Sequence, residues 1–220
     1  MQVSEAVERR NSVRAFKPDP VPRALVAHIL EHAARAPSGG NLQPWRIYAL
    51  TGEPLAALKA DVTANPRGES LDLPIYPPNL WEPFRTRRFE NGEQLYAALG
   101  VGREDKAGRL QWFARNGAFF GAPIGVFFCL DRGLGPPQWA DLGMYMQNVM
   151  LLALENGLDT CAQRFWARWP NTVARHLGLP GDHMVVSGMA LGYAADHHAI
   201  NNWRSARDAA DRWLELQGFD

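Results

Sequence analysis

"PQWADLGMYMQNVMLLALENG", residues 137 to 157, is the stretch that decides the fold. It opens on Pro137 and closes on Gly157, the order in which helices are punctuated. Between them Leu142, Met144, Tyr145, Met146, Val149, Met150, Leu151, Leu152 and Leu154 cover nearly every face. A helix that is apolar all round is buried. This one is expected either centrally in the chain or in an interface between subunits. Just upstream, "IGVFFCL", residues 124 to 130, is apolar at strand length without alternation, which suits a strand covered on both faces.

Working outward, "LDTCAQRFW" reads as a strand, "NTVARHLG" as a short helix and "HMVVSGMALGY" as a strand, and the tail "RSARDAADRWLELQ" is amphipathic. Toward the N-terminus, Ser4 is the expected N-cap of a short helix through Arg9. Pro22 opens a better one, in which Leu25, Ile29, Leu30 and Ala33 recur at helical spacing before Pro37. "RIYALT", residues 46 to 51, is a strand, and "EPLAALKADVTA" returns as a helix. From Asn65 to Asn91 the chain carries five prolines, and "YPPNLWEPFRTRRF" mixes aromatics with arginines without periodicity. That excursion, about residues 65 to 92, reads as a lid or pocket wall. Helical patterning resumes at "EQLYAAL" and across "EDKAGRLQWFARNGAFF". Strands scattered between helices indicate an α+β or α/β fold with a covered sheet, in one domain over residues 1 to 220.

The charge balance narrows the partners. Lys+Arg and Asp+Glu are both 23, so the net charge of zero argues against a nucleic-acid or anionic-membrane protein, which needs a large positive field. The N-terminus is polar, and the apolar run around "MLLALENGL" is too short for a membrane helix of about 20 residues. A cytoplasmic protein is expected. Cys129 and Cys161 stand in apolar stretches without Cys or His at ligand spacing, so they read as buried thiols. His197 and His198 have no third ligand at useful spacing, and no metal site is expected. A G-x-S-x-G elbow and a strand-borne GxGxxG are both absent, which removes support for a triad hydrolase or a Rossmann dehydrogenase.

Three segments remain as candidates for chemistry. "RRNSVRAF", residues 9 to 16, brings together three arginines, Asn11 and Ser12, a set able to hold a phosphate and a carbonyl edge. Taken alone, such a stretch is more commonly a solvated charge run. "APSGGNLQPW", residues 36 to 45, offers glycine backbone for close approach, with Ser38 and Asn41 as donors. The alternative is a plain turn stabilised by Asn and Gly chemistry, with Trp45 in the core. In "NNWRSAR", Arg204 and Arg207 lie three apart at an expected helix start and would face one way. Phosphate-type arginines without a nucleophile or metal site suggest that a cofactor carries the chemistry.

In this order the segments resemble the FMN-dependent nitroreductase family, over almost the whole chain. "RRNSVRAF" is similar to that family's Arg-Arg-x-Ser-x-Arg-x-Phe signature and "APSGGNLQPW" to its Ala-Pro-Ser-x-x-Asn-x-Gln-Pro-Trp loop. "GLDTCAQRFW", "SGMALGYAAD" and "INNWRSAR" fall where the family has its flavin-N5 strand, its Gly-rich last strand and its phosphate arginines. The excursion and "GPPQWADLGM" look most like the branch that reduces nitrobenzoate-type compounds.

The resemblance implies a three-layer α-β-α sandwich with a covered mixed sheet, in an intertwined homodimer with FMN at the interface. Arg10, Asn11, Ser12 and Arg14 would hold phosphate, ribityl and pyrimidine edge, with Pro37, Ser38, Gly39 and Asn41 supplied by the second chain. Arg204 and Arg207 would neutralise the phosphate, and Asn116 would meet the ring's polar edge. The backbone after Gln163, at Arg164 and Phe165, would donate to N5. The family usually carries Glu or a neutral residue in place of Arg164, often followed by a small one in place of Phe165. With Arg164 beside N5, and Arg85, Arg87 or Arg88 at the pocket mouth, acceptors bearing a carboxylate would be favoured.

The chemistry implied is two-electron, ping-pong hydride transfer from NAD(P)H through FMN to a nitroaromatic or quinone, with Arg14 stabilising the anionic reduced ring. No side chain is expected as acid or base. The rival readings are a flavin-binding or storage protein without NAD(P)H turnover, and another branch of the fold performing flavin destruction, dehalogenation or heterocycle oxidation.

Overall fold

The computed structural model describes residues 1–69 and 74–219. The part of the expected excursion at 70–73 lies outside the described residues. In chain order the elements are α1 (Val3–Arg9), α2 (Arg23–Ala33), β1 (Arg46–Leu50), α3 (Gly52–Ala64), α4 (Phe84–Ala98), α5 (Lys106–Ala114) and β2 (Ile124–Asp131). There follow α6 (Pro136–Glu155), β3 (Asp159–Gln163), α7 (Pro170–Leu177), β4 (His183–Gly192) and the short α8 (Ala199–Asn202).

The sheet has the order β1-β2-β4-β3, and each neighbouring pair of strands runs antiparallel. The expected mixed sheet is corrected to this extent: the parallel element is a single bridge, Ser12 to Thr160, along the outer edge of β3. β2 is buried from Ile124 through Leu130, as its unbroken apolar run requires. The reason is the alternation of side chains across a pleated strand. Phe127 and Cys129 enter a core with Leu55, Leu58 and Val62 of α3, Phe119, Trp166 and Val173. Val126, Phe128 and Leu130 enter the opposite core with Ile29 of α2 and with Leu142, Tyr145 and Val149 of α6. Helices therefore cover both faces of an antiparallel sheet, and the α+β layering holds.

α6 spans Pro136–Glu155, close to the expected bounds. One side seals the second core, and its polar groups finish α2: Tyr145 Oη donates to Leu30 O at 2.8 Å and Asn148 Nδ2 to Ala33 O at 3.2 Å. Those carbonyls at the end of α2 have no partner within the helix. The other side is not enclosed, since Gly143 and Met144 are exposed and Leu151 and Leu154 half-buried. Trp45 stacks on Tyr145 with ring centroids 5.1 Å apart, so the residue read as core packs where expected.

Three local expectations are revised. The stretch read as lacking periodicity contains the first half of α4, which begins at Phe84. α4 buries none of its residues, and a helix that buries no face carries no apolar stripe to be read. Its start is held by charge: Glu82 accepts from Arg85 Nε at 2.7 Å and from Thr86 N at 3.2 Å. The tail after α8 is not helical apart from a short turn at Ala210–Arg212, and Trp213, Leu216 and Phe219 stand exposed. Without a packing partner, an amphipathic segment gains too little to form a helix. The N-cap of α1 is Gln2 rather than Ser4.

The entry to the excursion is tied down. Glu69 N donates to Arg168 O at 2.7 Å, and its carboxylate accepts from Asn171 N at 2.7 Å and Thr172 Oγ1 at 2.6 Å. Glu69 thus caps the N-terminus of α7 from a remote loop, the favoured place for a negative charge.

Candidate cofactor site

Arg10 directly follows α1, and Arg204 and Arg207 follow α8. Arg204 draws the two ends of the chain together by donating to Glu8 O and Arg9 O, both at 2.7 Å. These carbonyls belong to the open C-terminus of α1. The guanidinium pKa of Arg10 is pushed down, first by burial, then by the charges of Arg207 and Arg204. Arg207 donates to Ser205 Oγ at 2.8 Å and Ala206 O at 2.9 Å, both uncharged. Among the described residues none of the three arginines forms an ion pair. Three gathered cations without a counter-charge make a site that an oxyanion would relieve.

The neighbouring segment is fastened to the same C-terminal strap. Asn11 Nδ2 donates to Asn201 O at 3.2 Å and Trp203 O at 2.9 Å, while its Oδ1 accepts from Ser12 N at 2.9 Å. Its amide is occupied at both ends, so the side chain of Asn11 ties the segment to the strap. Asn201, which the sequence reading passed over, returns the clamp: its Oδ1 accepts from Arg14 N at 3.0 Å and its Nδ2 donates to Ala15 O at 2.9 Å. The asparagine pair ahead of Trp203 was the available signal, hidden because attention falls on the charges beside it. Arg14 Nη1 donates to Ser12 O at 3.1 Å, and the guanidinium sits 5.8 Å from the Trp203 ring centroid.

Arg14 and Arg207 open onto a cavity of about 1180 Å³ whose wall includes Trp112, Phe113, Asn116 and, from α4, Arg88. Asn116 Nδ2 donates to Phe113 O at 2.9 Å, and its own Oδ1 and main-chain O accept from Gln163 Nε2 at 3.1 and 3.0 Å. Gln163 is buried, and its Oε1 has no hydrogen-bond partner. An orphaned buried acceptor calls for a donor. Phe165 is buried next to it and meets Phe113 edge-on at 5.6 Å. Arg14 and Arg207, the aromatic rings of Trp112, Phe113 and Phe120, and the amide of Asn116 thus line one cavity, a chemistry that fits FMN.

Arg164 departs from the expectation for its side chain. Its guanidinium donates to Val186 O and lies 6.0 Å from the Trp139 ring centroid, toward α6, and it is not part of the cavity wall. Burial pushes its pKa down. Arg204 and Arg207 do not start a helix, as the segment after α8 is extended; they converge on Arg10 through the strap instead.

The loop with Pro37, Ser38, Gly39 and Asn41 lies elsewhere. Gly40, Asn41 and Gln43 take φ of 58°, 57° and 50°, the left-handed region that suits glycine and asparagine. Ser38 Oγ accepts from Gln43 N at 3.0 Å, and Gly39 N donates to the buried Asp141 carboxylate at 3.3 Å. Asp141 stands near the start of α6, whereas Thr160, which pairs with Ser12, follows its end. From Asp141 to Glu155 α6 covers about 21 Å at 1.5 Å per residue. The loop also precedes β1, while Ser12 flanks β3, at the opposite edge of the sheet. Pro37 and Asn41 are exposed there. Within one chain, then, the two sets of candidate residues do not converge.

Asp131, Asp182 and His183 form the one grouping of possible metal ligands among the described residues. His183 Nδ1 is 2.7 Å from Asp182 Oδ1 and Asp131 Oδ1 accepts from Gly133 N at 2.7 Å, the hydrogen bonds of turns at a sheet end.

Compared with known proteins, residues 7–193 match the model of the Nitroreductase family. The chain is 38% identical to a 4-nitrobenzoate reductase of Pseudomonas putida over 215 residues, 97% of this chain and 95% of the relative. It is also 38% identical to a chloronitrobenzene nitroreductase of Comamonas testosteroni, covering 99% and 95% of the two chains. Among solved structures it superposes on the FMN and NADPH-dependent nitroreductase NfnB from sphigopyxis sp. strain HMH with a TM-score of 0.97, at 47% identity and with all of both chains covered. The FMN-dependent nitroreductase NfnB from Mycobacterium smegmatis, solved with NADPH, gives a TM-score of 0.90 at 29% identity, over 98% of this chain and 100% of that one.

Proposed function

The chain belongs to the nitroreductase family, and from that premise we propose that it is an FMN-dependent NAD(P)H oxidoreductase that reduces nitroaromatic or quinone acceptors as a homodimer. The observation that carries the reading is the Arg10, Arg204 and Arg207 cluster, without an ion pair among the described residues, whose Arg207 lines the aromatic cavity together with Arg14 and with Asn116, the partner of Gln163. Arg10, Arg204 and Arg207 hold the phosphate; Ser12 and Arg14 hold the ribityl chain and pyrimidine edge. Asn116, locked by Gln163 and Phe113, presents its remaining N–H to the ring's polar edge. The backbone of Arg164 and Phe165 lies beside the reacting face. FMN, when bound, supplies two-electron transfer between the nicotinamide and the acceptor. The chain contributes binding, orientation and a positive field at Arg14 that favours negative charge on the ring.

The dimer follows from the separation of the two half-sites. Pro37, Ser38, Gly39 and Asn41 reach a flavin held by Arg10 and Arg14 if they come from a second copy. The open side of α6 and the exposed Trp213, Leu216 and Phe219 of the tail supply the apolar surface that such an interface needs. The chain acts as one FMN-binding unit, with α4 as a pocket wall. No described helix is long and apolar enough to cross a membrane, and we place the protein in the cytoplasm.

The test is direct. Purified protein is heat-denatured and the released flavin identified, the native sample is mixed anaerobically with NADH or NADPH in a stopped-flow cell, and its mass is measured by light scattering. FMN, bleaching by a nicotinamide, reoxidation by a nitroarene and a dimer mass are expected. Released FAD, or FMN that no nicotinamide reduces, would refute the activity. A stable FMN-loaded monomer would refute the shared site.

A further inference from the structure

The cavity holds a charge that the flavin does not account for. Of the three arginines that α4 turns toward its mouth, Arg85 is bound to Glu82, at 2.6 Å, and Arg87 to Asp208. Arg88 has no carboxylate partner among the described residues; its guanidinium carbon lies over the Tyr76 ring, 4.5 Å from the centroid. Two acidic residues of the same wall are likewise spent, Asp208 on Arg87 and Glu93 on Arg109. Glu90 is left against three uncompensated guanidiniums, Arg14, Arg88 and Arg207. Arg14 and Arg207 belong to the flavin in the reading above, and Arg164 points away.

Resting on that reading, we propose that Arg88 determines specificity by pairing with a carboxylate on the aromatic acceptor. Tyr76 preorganises the guanidinium by cation–π contact, so that less rotamer freedom is lost when the pair forms. An arginine forked toward a carboxylate gives two parallel hydrogen bonds and fixes which end of the acceptor faces α4. An acceptor held by its carboxylate at α4 directs the opposite end of its ring toward Asn116, on the wall of the same cavity. A para-substituted nitro group then meets the reacting face.

The test uses the flavin-loaded enzyme and two ligands of the same shape, benzoate and benzamide. Titrations are read by flavin absorbance and by intrinsic tryptophan fluorescence, to which Trp112 and Trp213 of the cavity wall contribute. Wild type binds benzoate more tightly. Arg88→Gln weakens benzoate by about three- to tenfold, the range for a partly solvated charge pair, and leaves benzamide within twofold. Arg88→Lys recovers part of the loss, since it keeps the charge without the fork. In turnover the KM for 4-nitrobenzoate rises with Arg88→Gln while that for nitrobenzene does not. Equal weakening of both ligands, or a wild type indifferent to the charge, overturns the proposal. So does an Arg88→Gln effect confined to the preference for NADPH over NADH, which would assign the charge to the nicotinamide's phosphate. A protein that takes up no FMN would defeat the activity reading instead, and the fluorescence titration would still decide the role of Arg88.

Discussion

Gly188→Ala tests the link between the core and the candidate site. Gly188 pairs with Gln163 of β3 on one side and with Phe127 of β2 on the other. A Cβ placed on it stands 2.4 Å from Cδ1 and 2.9 Å from Cγ of Trp166. Carbon atoms in good contact are about 3.5–4.0 Å apart, so the indole must retreat by about 1 Å. It has nowhere to go. Trp166 is fully buried and stacked on Phe119 at 4.2 Å, and Phe119 is backed by Gly125, where an added Cβ would lie 2.5 Å from its Cζ. Two rings are held between two glycines of adjacent strands, and the substitution overpacks the stack. The expected cost is at the upper end for overpacking, about 3 kcal/mol. For a chain of this size that lowers Tm by about 6–12 °C. Urea unfolding at fixed protein concentration checks it, with the midpoint falling and the slope unchanged. Adding Trp166→Leu, which removes the clashing ring, should make the pair less damaging than the sum of the single changes, by about 1 kcal/mol or more. A loss below about 1 kcal/mol for Gly188→Ala, or strict additivity, refutes the packing argument.

Arg10→Gln should weaken FMN binding by about ten- to a hundredfold, the worth of a hydrogen bond to a charged group, as read from quenching of FMN fluorescence. Glu69→Ala removes the remote cap of α7 and should cost about 0.5–2 kcal/mol, with faster amide exchange at Asn171 and Thr172. The His176 ring and the Arg175 guanidinium hold the Asp61 carboxyl below its ordinary pKa. The α3–α7 clamp is therefore fully present above the ordinary carboxylate range and lost as pH falls through the lower, folded-state value; Asp61→Asn should flatten acid unfolding in that window. Burial pushes the thiols of Cys129 and Cys161 up to about 12 and about 11. Neither should react with a disulfide reagent at pH 8 until the protein unfolds, and prompt labelling of the native state would contradict their burial.

Much of the site was legible because its residues are informative one at a time. Glycine and asparagine in "PSGGNLQPW" announced a turn, and Gly40 and Asn41 take the left-handed backbone that makes it. Arginines clustered near both ends announced an anion site, and Arg10, Arg204 and Arg207 do meet. Where the side chains of Asn11 and Arg164 go depends on partners distant in the chain. Asn11 is consumed by carbonyls 190 and 192 residues away, and Arg164 is drawn to Trp139 and Val186. The first half of α4 escaped detection because it buries nothing, and periodicity registers only the burial of a face.

The sequence by itself determined the elements whose cause is local: the helix between Pro137 and Gly157, the doubly covered strand at 124–130, and the turn chemistry ahead of β1. Each follows from the spacing of apolar residues or the backbone freedom of a single residue type. The tertiary structure alone decided which arginines stay unpaired. Arg85, Arg87 and Arg88 stand within four positions of one helix, yet one meets Glu82, one meets Asp208 and the third, among the described residues, meets an aromatic ring and no carboxylate. Whether a charge is free depends on what the fold brings within a few ångströms of it, and there the Coulomb energy is set by distance in space rather than along the chain.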